Sequence, residues 1–469
     1  MNTRTLIPSL SVVAIAMAGA TAHAEQAHSD TSAAPRSPNI VFIYADDMSW
    51  TGSSVAMIQG DPSSRSDFYQ TPNLEALAAT GMVFSNAYSP GALCTPSRAG
   101  LLTGQTPAQL RITTPGRGKV DDSRKVLTPQ PTTQLPPSIT TIGTALKTQG
   151  YATALLGKWH IGREDHAGRF GFDQHDEATQ NDNQGTPQDP KEIFSLTQRG
   201  IEFIEQSVNA NQPFYLQISH YAVHSPTQSR PESRDKFNAL AAGQYHSDPD
   251  YAGMTWDLDT SLAPLLQALD DLGISDNTYV VFSSDHGAPG NRRNPYNAPL
   301  FGGKGSLYEG GIRVPLIISG PGVNIGYSDK NVSGTDLFAT FASWAGAKVD
   351  APESEDLTPL LTDNDDKFQR RHALLFHYPH YGRGSQTPQT ALIADQWKLL
   401  RDWEQGSDQL FNLKEDIGET QDLADKEPKT LAKMIALMDA RLTNIEAQLP
   451  IPNSDYDPNV APRRRGNRR

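Results

Sequence analysis

Four short, predominantly apolar runs constrain this chain more than any other feature: Asn39–Ala45, Tyr151–Leu156, Phe214–Ser219 and Thr278–Ser283. They lack the strict polar alternation of a half-buried strand, so they predict strands covered on both faces. Helical patterns lie between them at Leu74–Thr80, Ile139–Gln149 (stopped by Gly150), Ser195–Asn209 and Tyr251–Leu272. Strands alternating with helices imply an α/β fold, a large and mostly parallel sheet covered by helices. Ligands of such sheets bind beyond the carboxyl ends of the strands. Asp46, Asp47, Lys158, His160, Asp285 and His286 all fall just past such ends, which argues for one shared site.

The 469 residues exceed the usual range of a single core, so a second, smaller unit is expected. Composition turns acidic and rich in turn residues over Pro352–Asp366. Strand-like Ala373–Phe376, Ala391–Ile393 and Trp397–Leu400 and a helical Thr430–Gln448 follow, predicting a C-terminal α+β subdomain. The N-terminus reads as a secretory signal: Arg4, an apolar Leu6–Ala20, and Ala22-His23-Ala24 as the cleavage site. The apolar run is shorter than the ~20 residues of a spanning helix, and no cysteine follows it to carry a lipid, so no membrane anchor is expected. The predicted organisation is a signal peptide over 1–24, a disordered leader over 25–37, a catalytic domain over 38–360, a C-terminal subdomain over 361–449 and a disordered basic tail over 450–469. The protein is expected in the periplasm or outside the cell. A net charge of −13 argues against a nucleic-acid partner. It also means that an anionic substrate must be attracted by cations placed locally in the pocket.

Cys94 is the only cysteine, so an exported chain has no disulfide partner for it. It opens the run Cys94-Thr95-Pro96-Ser97-Arg98-Ala99-Gly100-Leu101-Leu102-Thr103-Gly104, where Ser97-Arg98 suggest a helix start with a cation beside the thiol. The run resembles the signature of the formylglycine-dependent sulfatases of the alkaline phosphatase superfamily, Cys-x-Pro-Ser-Arg-x-x-x-Leu-Thr-Gly, and meets each of its fixed positions. Gly157-Lys158-Trp159-His160-Ile161-Gly162 resembles a second motif of that family, and Val223-His224-Ser225-Pro226 its His-x-Pro, with His220 a nearby competitor to His224. Lys304, within Gly303-Lys304-Gly305, resembles the last catalytic lysine.

The resemblance implies an alkaline phosphatase-like fold and a cysteine oxidised to formylglycine by a separate maturation enzyme. Catalytic roles fall to Cys94, Arg98, Lys158, His160, His224 and Lys304. Asp46, Asp47, Asp285 and His286, with the modified Cys94, match the ligands of one calcium ion. His286 stands where many relatives carry Asn, which keeps manganese and magnesium as alternatives. The expected activity is hydrolysis of sulfate esters of a sulfated polysaccharide or oligosaccharide. The alternative is a phosphodiester or phosphonate hydrolase of the same superfamily. A non-enzymatic sulfoglycan binder is disfavoured because each catalytic position is filled. The polar, aromatic stretch His377-Tyr378-Pro379-His380-Tyr381-Gly382-Arg383 suggests a sugar-binding rim with His377, His380 and Arg383 as contacts, and Arg292 is a further candidate for a second anionic group.

Overall fold

Strand β1 (Asn39–Ala45) sets the layout, because both of its faces are buried. In the computed structural model, which describes residues 1, 37–118, 123–162, 166–176, 185–290, 295–382 and 386–459, Val41, Ile43 and Ala45 face one apolar core and Ile40, Phe42 and Tyr44 face another. The strands of the main sheet are β1, β2 (Gly81–Phe84), β3 (Ala152–Gly157), β4 (Gln174–His175), β5 (Phe214–Ser219), β6 (Thr278–Ser284), β7 (Leu316–Ser319) and β8 (Gly326–Ser328). Among the described residues they form an eight-stranded sheet in the order β8-β2-β7-β6-β1-β5-β3-β4. β1 pairs in parallel with β5 and with β6, and β5 in parallel with β3. Only β7 runs against its neighbours, antiparallel to β2 and β6. The sheet is thus large and mostly parallel, as its apolar runs predict.

Helices cover both faces. On one side lie α1 (Pro72–Ala78), α4 (Ile193–Asn209) and α5 (Pro249–Asp271); on the other lie α2 (Cys94–Thr103), α3 (Ile142–Lys147) and α6 (Asp336–Trp344). α4 buries Ile193, Leu196, Gly200, Ile201, Phe203 and Ile204 along one stripe. A Cβ on Gly200 would meet Ile218 of β5 at 2.8 Å, so glycine here permits the close approach of helix and sheet. Asp259 of α5 accepts hydrogen bonds from the backbone nitrogens of Asn73 and Leu74 at 3.1 and 2.9 Å, capping α1 as a structural residue. α3 is shorter than its predicted 139–149 because Thr141 caps it: its Oγ1 accepts from Thr144 N at 3.2 Å.

A separate antiparallel sheet follows in the order β9 (Leu374–Tyr378), β10 (Gln389–Ala394), β11 (Trp397–Asp402), β12 (Ser407–Asn412). Helix α7 (Pro428–Asn444) packs Met434, Met438 and Leu442 against Leu392, Leu399 and Leu410 of one face. The expectation of disorder from residue 450 is corrected at its start. Ile451 and Pro452 pair antiparallel with Leu127 and Val126, and Asn453 N donates to Lys125 O at 3.0 Å, so backbone hydrogen bonding extends past Pro450. The signal and leader at 2–36 and the arginine-rich end at 460–469 lie outside the described residues.

A buried ionic network ties the small sheet to the segment between β6 and β7. Lys398 of β11 lies 2.9 Å from Glu309 and 2.7 Å from Glu419, and Glu309 also holds Arg313 at 2.6 Å. All four residues are buried, and Glu419 is pushed up to about 7, first by burial. Removing one partner strands the others without compensation, which costs about 3–5 kcal/mol. Lys398→Met is therefore expected to lower the unfolding free energy by that order in urea titrations. His377 of β9 gives a second prediction. Burial pulls its imidazole down to about 4 from the ordinary value of about 6.5. The unfolded chain then takes up the proton before the native state does, so the stability His377 contributes is whole above pH 6.5 and lost as pH falls toward 4. The stability gap between wild type and His377→Asn should narrow over that interval, by up to about 3 kcal/mol.

Candidate active site

Four adjacent parallel strands, β6, β1, β5 and β3, end at one rim. Asp46 and Asp47 follow β1, Lys158 follows β3, His220 and His224 follow β5, and Asp285 and His286 follow β6. Backbone bonds tie these ends together. Asp285 N donates to Ala45 O at 3.1 Å, Lys158 N to Ser219 O at 2.8 Å, and Asp46 N to Ala222 O at 2.8 Å. Two successive carboxylates on an extended strand face opposite ways. Asp47 escapes this by adopting a left-handed conformation, φ 62°, one that aspartate tolerates better than most residues. Tyr251 of α5 secures that turn by donating from its hydroxyl to Asp47 O at 3.0 Å.

Cys94 enters from α2. The helix begins at Cys94 itself, three residues before the Ser97-Arg98 start expected from sequence. Ser97 instead locks the preceding loop: its Oγ donates to Gly91 O at 2.6 Å and accepts from Gly91 N at 3.1 Å. One turn along the helix, Arg98 donates to Asp285 Oδ2 at 3.0 Å and to Lys158 O at 2.9 Å.

The sulfur of Cys94 lies 3.2 Å from His286 Nε2, 3.6 Å from Asp46 Oδ1, 3.5 Å from Lys158 Nζ and 3.6 Å from Lys304 Nζ. Lys158 is paired with Asp46, and Lys304 donates to Asp47 Oδ1 at 2.6 Å. Burial disfavours the thiolate, but Lys158 and then Lys304 outweigh it, bringing the thiol down to about 6. Asp285 is pushed up to about 7, by burial first and then by Asp46. His286, although burial opposes its charge, is held up at about 9 by Asp285. Asp285 thus holds its proton more readily than an ordinary carboxyl, whereas Lys158 holds Asp46, and Lys304 holds Asp47, below the usual carboxylate range against the effect of burial.

Asp46, Cys94, Asp285 and His286 each offer a donor atom, and these atoms all lie within 4.8 Å of one another. The Nδ1 of His286 is 2.9 Å from Gly287 O, leaving Nε2 to face the cluster. Asp47 Oδ2 is buried and, among the described residues, accepts no hydrogen bond. Oxygen-rich donors with one imidazole fit a divalent cation. His224 Nε2 stands 3.8 Å from Asp47 Oδ2, in a second group with Asp47 and Cys94. His220 is buried with both ring nitrogens unpartnered among the described residues, and burial pulls it down to about 4. His160 adopts φ 54°; burial and then Lys158 pull it down to about 3, so its ring is neutral. Thr95 donates to His160 O at 2.7 Å. Tyr251 and Thr95 carry no local signature and were not legible as site residues.

The proposed rim differs from its expectation. His377 is 6% exposed, with Nδ1 2.7 Å from Thr390 Oγ1 across the β9–β10 pair and Nε2 3.0 Å from Gln448 O, so neither ring nitrogen is left for a sugar. His380 is buried too, with Nε2 2.7 Å from Thr113 Oγ1. Arg292 and Arg383 lie outside the described residues.

Comparison with known proteins shows the family. The family model described as Sulfatase matches residues 38–347, and that described as N-sulphoglucosamine sulphohydrolase, C-terminal, matches residues 300–448. The chain is 29% identical to a sulfatase of Formosa agariphila, over 86% of this chain and 87% of that one. It is 31% identical to the N-acetylgalactosamine-6-sulfatase of Mus musculus, over 80% and 75%. The crystal structure of Ps i-CgsB superposes with a TM-score of 0.70 at 27% identity, covering 86% of this chain and 92% of that one. With two thirds of its length matched by the family model and its site residues gathered at one rim, the chain belongs to the sulfatase family, hydrolases of sulfuric esters within the alkaline phosphatase-like superfamily.

Proposed function

We propose that this protein removes sulfate from a sulfated polysaccharide or oligosaccharide, using Cys94 matured to formylglycine. The observation that carries the reading is the convergence of Lys158, Lys304 and His286 on the Cys94 sulfur within 3.6 Å. A sulfate monoester bears a negative charge that repels nucleophiles, so a site must neutralise its oxygens, supply the nucleophile and protonate the leaving alcohol. Formylglycine, when present, supplies a hydrate hydroxyl as nucleophile and a second hydroxyl for release of sulfate. Lys158 and Lys304 grip the sulfate oxygens. Arg98 holds Asp285, which takes the proton of the attacking hydroxyl. His224 donates a proton to the departing alcohol, and neutral His160 accepts one in the release step. Asp46, Asp47, Asp285 and His286 would hold a calcium ion, whose charge would help neutralise the sulfate.

Carbohydrate as the alcohol is supported by the relatives: one is an N-acetylgalactosamine-6-sulfatase, and Ps i-CgsB is known in complex with k-i-k-neocarrahexaose. Arg292 and Arg383 are proposed sugar contacts. Residues 38–360 would form the catalytic domain and 361–449 the subdomain that borders it. The N-terminal signal supports a periplasmic or secreted enzyme that depends on a formylglycine-generating partner.

Inorganic sulfate released from a panel of sulfated oligosaccharides by protein co-produced with a maturation enzyme tests the reading. Sulfate release with a preferred sugar is expected; turnover of phosphodiesters alone would overturn it. Cys94→Ser should give at most one turnover, since serine can accept the sulfuryl group, expelling the alcohol, but lacks a second hydroxyl to release it. Rapid-quench counting of alcohol per enzyme measures this. Added calcium should raise the melting temperature of chelator-treated protein, because a ligand that binds only the native state stabilises it. Asp46→Asn should abolish that rise in differential scanning calorimetry.

A further inference from the structure

The turn that opens α4 carries a cation the scheme above does not use. α4 is the crossover between β3 and β5, so its first residues lie at the carboxyl ends of those strands, beside the rim. A Cβ on Gly157, the residue before Lys158, would meet Leu196 Cδ1 of α4 at 3.2 Å, which places the helix start directly against that strand end. Asp189 caps the helix, its carboxylate accepting from Phe194 N at 2.8 Å and Ser195 N at 3.2 Å. Between cap and helix, Lys191 and Glu192 both adopt left-handed conformations, φ 59° and 55°. Such a conformation costs a non-glycine residue roughly 1–2 kcal/mol, so the surrounding fold must hold this turn in place.

The consequence of that turn is a buried lysine. Lys191 is 1% exposed, yet among the described residues it makes no hydrogen bond and no ion pair. Each other buried cation at the rim has its carboxylate: Arg98 has Asp285, Lys158 has Asp46, Lys304 has Asp47. Burial pulls the Lys191 ammonium below the ordinary lysine range and Lys158 adds to this, while Asp46 and Asp47 oppose it, so the group feels the same charges that surround Cys94. The side chain is enclosed, but its ammonium is not among the wholly buried unpartnered polar atoms, so a partly desolvated cation without a carboxylate stands where an anion from outside could compensate it.

We propose that Lys191 is an additional substrate-binding residue, held ready for an oxyanion of the sulfated substrate: the sulfate that is cleaved, or a second sulfate or carboxylate beside it on the same saccharide. This deepens the sulfatase reading and rests on it for the identity of the substrate. The test measures binding without turnover. Isothermal titration of the full mature chain bearing unmodified Cys94 is carried out for wild type, Lys191→Met and Lys191→Arg. The probes are inorganic sulfate, galactose 6-sulfate, galactose 2,6-disulfate and the uronate-containing chondroitin 6-sulfate disaccharide. Loss of one charge-assisted hydrogen bond should weaken binding about tenfold or more in Lys191→Met. If inorganic sulfate weakens with the rest, Lys191 contacts the scissile sulfate. If only the doubly anionic saccharides weaken, it contacts the second group. Retention of affinity by Lys191→Arg, with an unchanged melting temperature in both variants, separates charge recognition from a role in the fold. Wild-type affinity for each probe in Lys191→Met, a loss matched by a fall in melting temperature, or no binding of any probe by wild type would overturn the proposal. Tight binding without sulfate release by the matured enzyme would instead count against the sulfatase chemistry and leave the anion site standing.

Discussion

Three buried carboxylates, Asp46, Asp47 and Asp285, stand together at the ends of two neighbouring strands, and the rest of the rim answers to their mutual repulsion. Arg98, Lys158 and Lys304 each take one of them. No two of these cations come from the same stretch of chain: one rides on α2, one ends β3, and one sits on a glycine-bounded loop. The electrostatic problem is thus solved only when the whole sheet is assembled, and a thiol placed among these cations loses its proton more readily than one in water.

The remainder of the fold serves to hold that rim. β1, buried on both faces, fixes the depth of Asp46 and Asp47, while α4 and α5 brace it from one side. The small sheet contributes through charge as well as packing: Lys398 reaches Glu309, on the segment that follows Lys304. A perturbation in the smaller unit therefore has a short covalent path to a cation beside Cys94.

The strand ends were legible because two-faced apolar runs are each followed by Asp-Asp, Lys-Trp-His or Asp-His, and a parallel sheet brings the carboxyl ends of its strands to one side. Cys94 was legible for the company it keeps in sequence. What escaped was set by conformation and by partners distant in the chain. The left-handed turn at Asp47 has no signature beyond an aspartate that tolerates it. Lys191 and Glu192 look like solvated helix-start residues until their positive φ values are known. His377 sits in a stretch that reads as a polar loop, yet it lies on β9, where its register places it opposite Thr390. The reversed direction of β7 was equally hidden, since one sequence carries no strand order.

Cys94 is 2% exposed, with its sulfur enclosed by side chains from β1, β3, β6 and the Lys304 loop. On the proposed maturation, a second protein must reach that sulfur, and the finished fold gives it no access. The order of events is then dictated by topology. The wall contributed by Asp285 and His286 is encoded almost two hundred residues after Cys94, and β6 joins β1 across a similarly long separation. Pairings so distant in sequence form slowly. The architecture itself opens a kinetic window during which the cysteine is displayed on an unfinished chain, and the closing of the central sheet ends it.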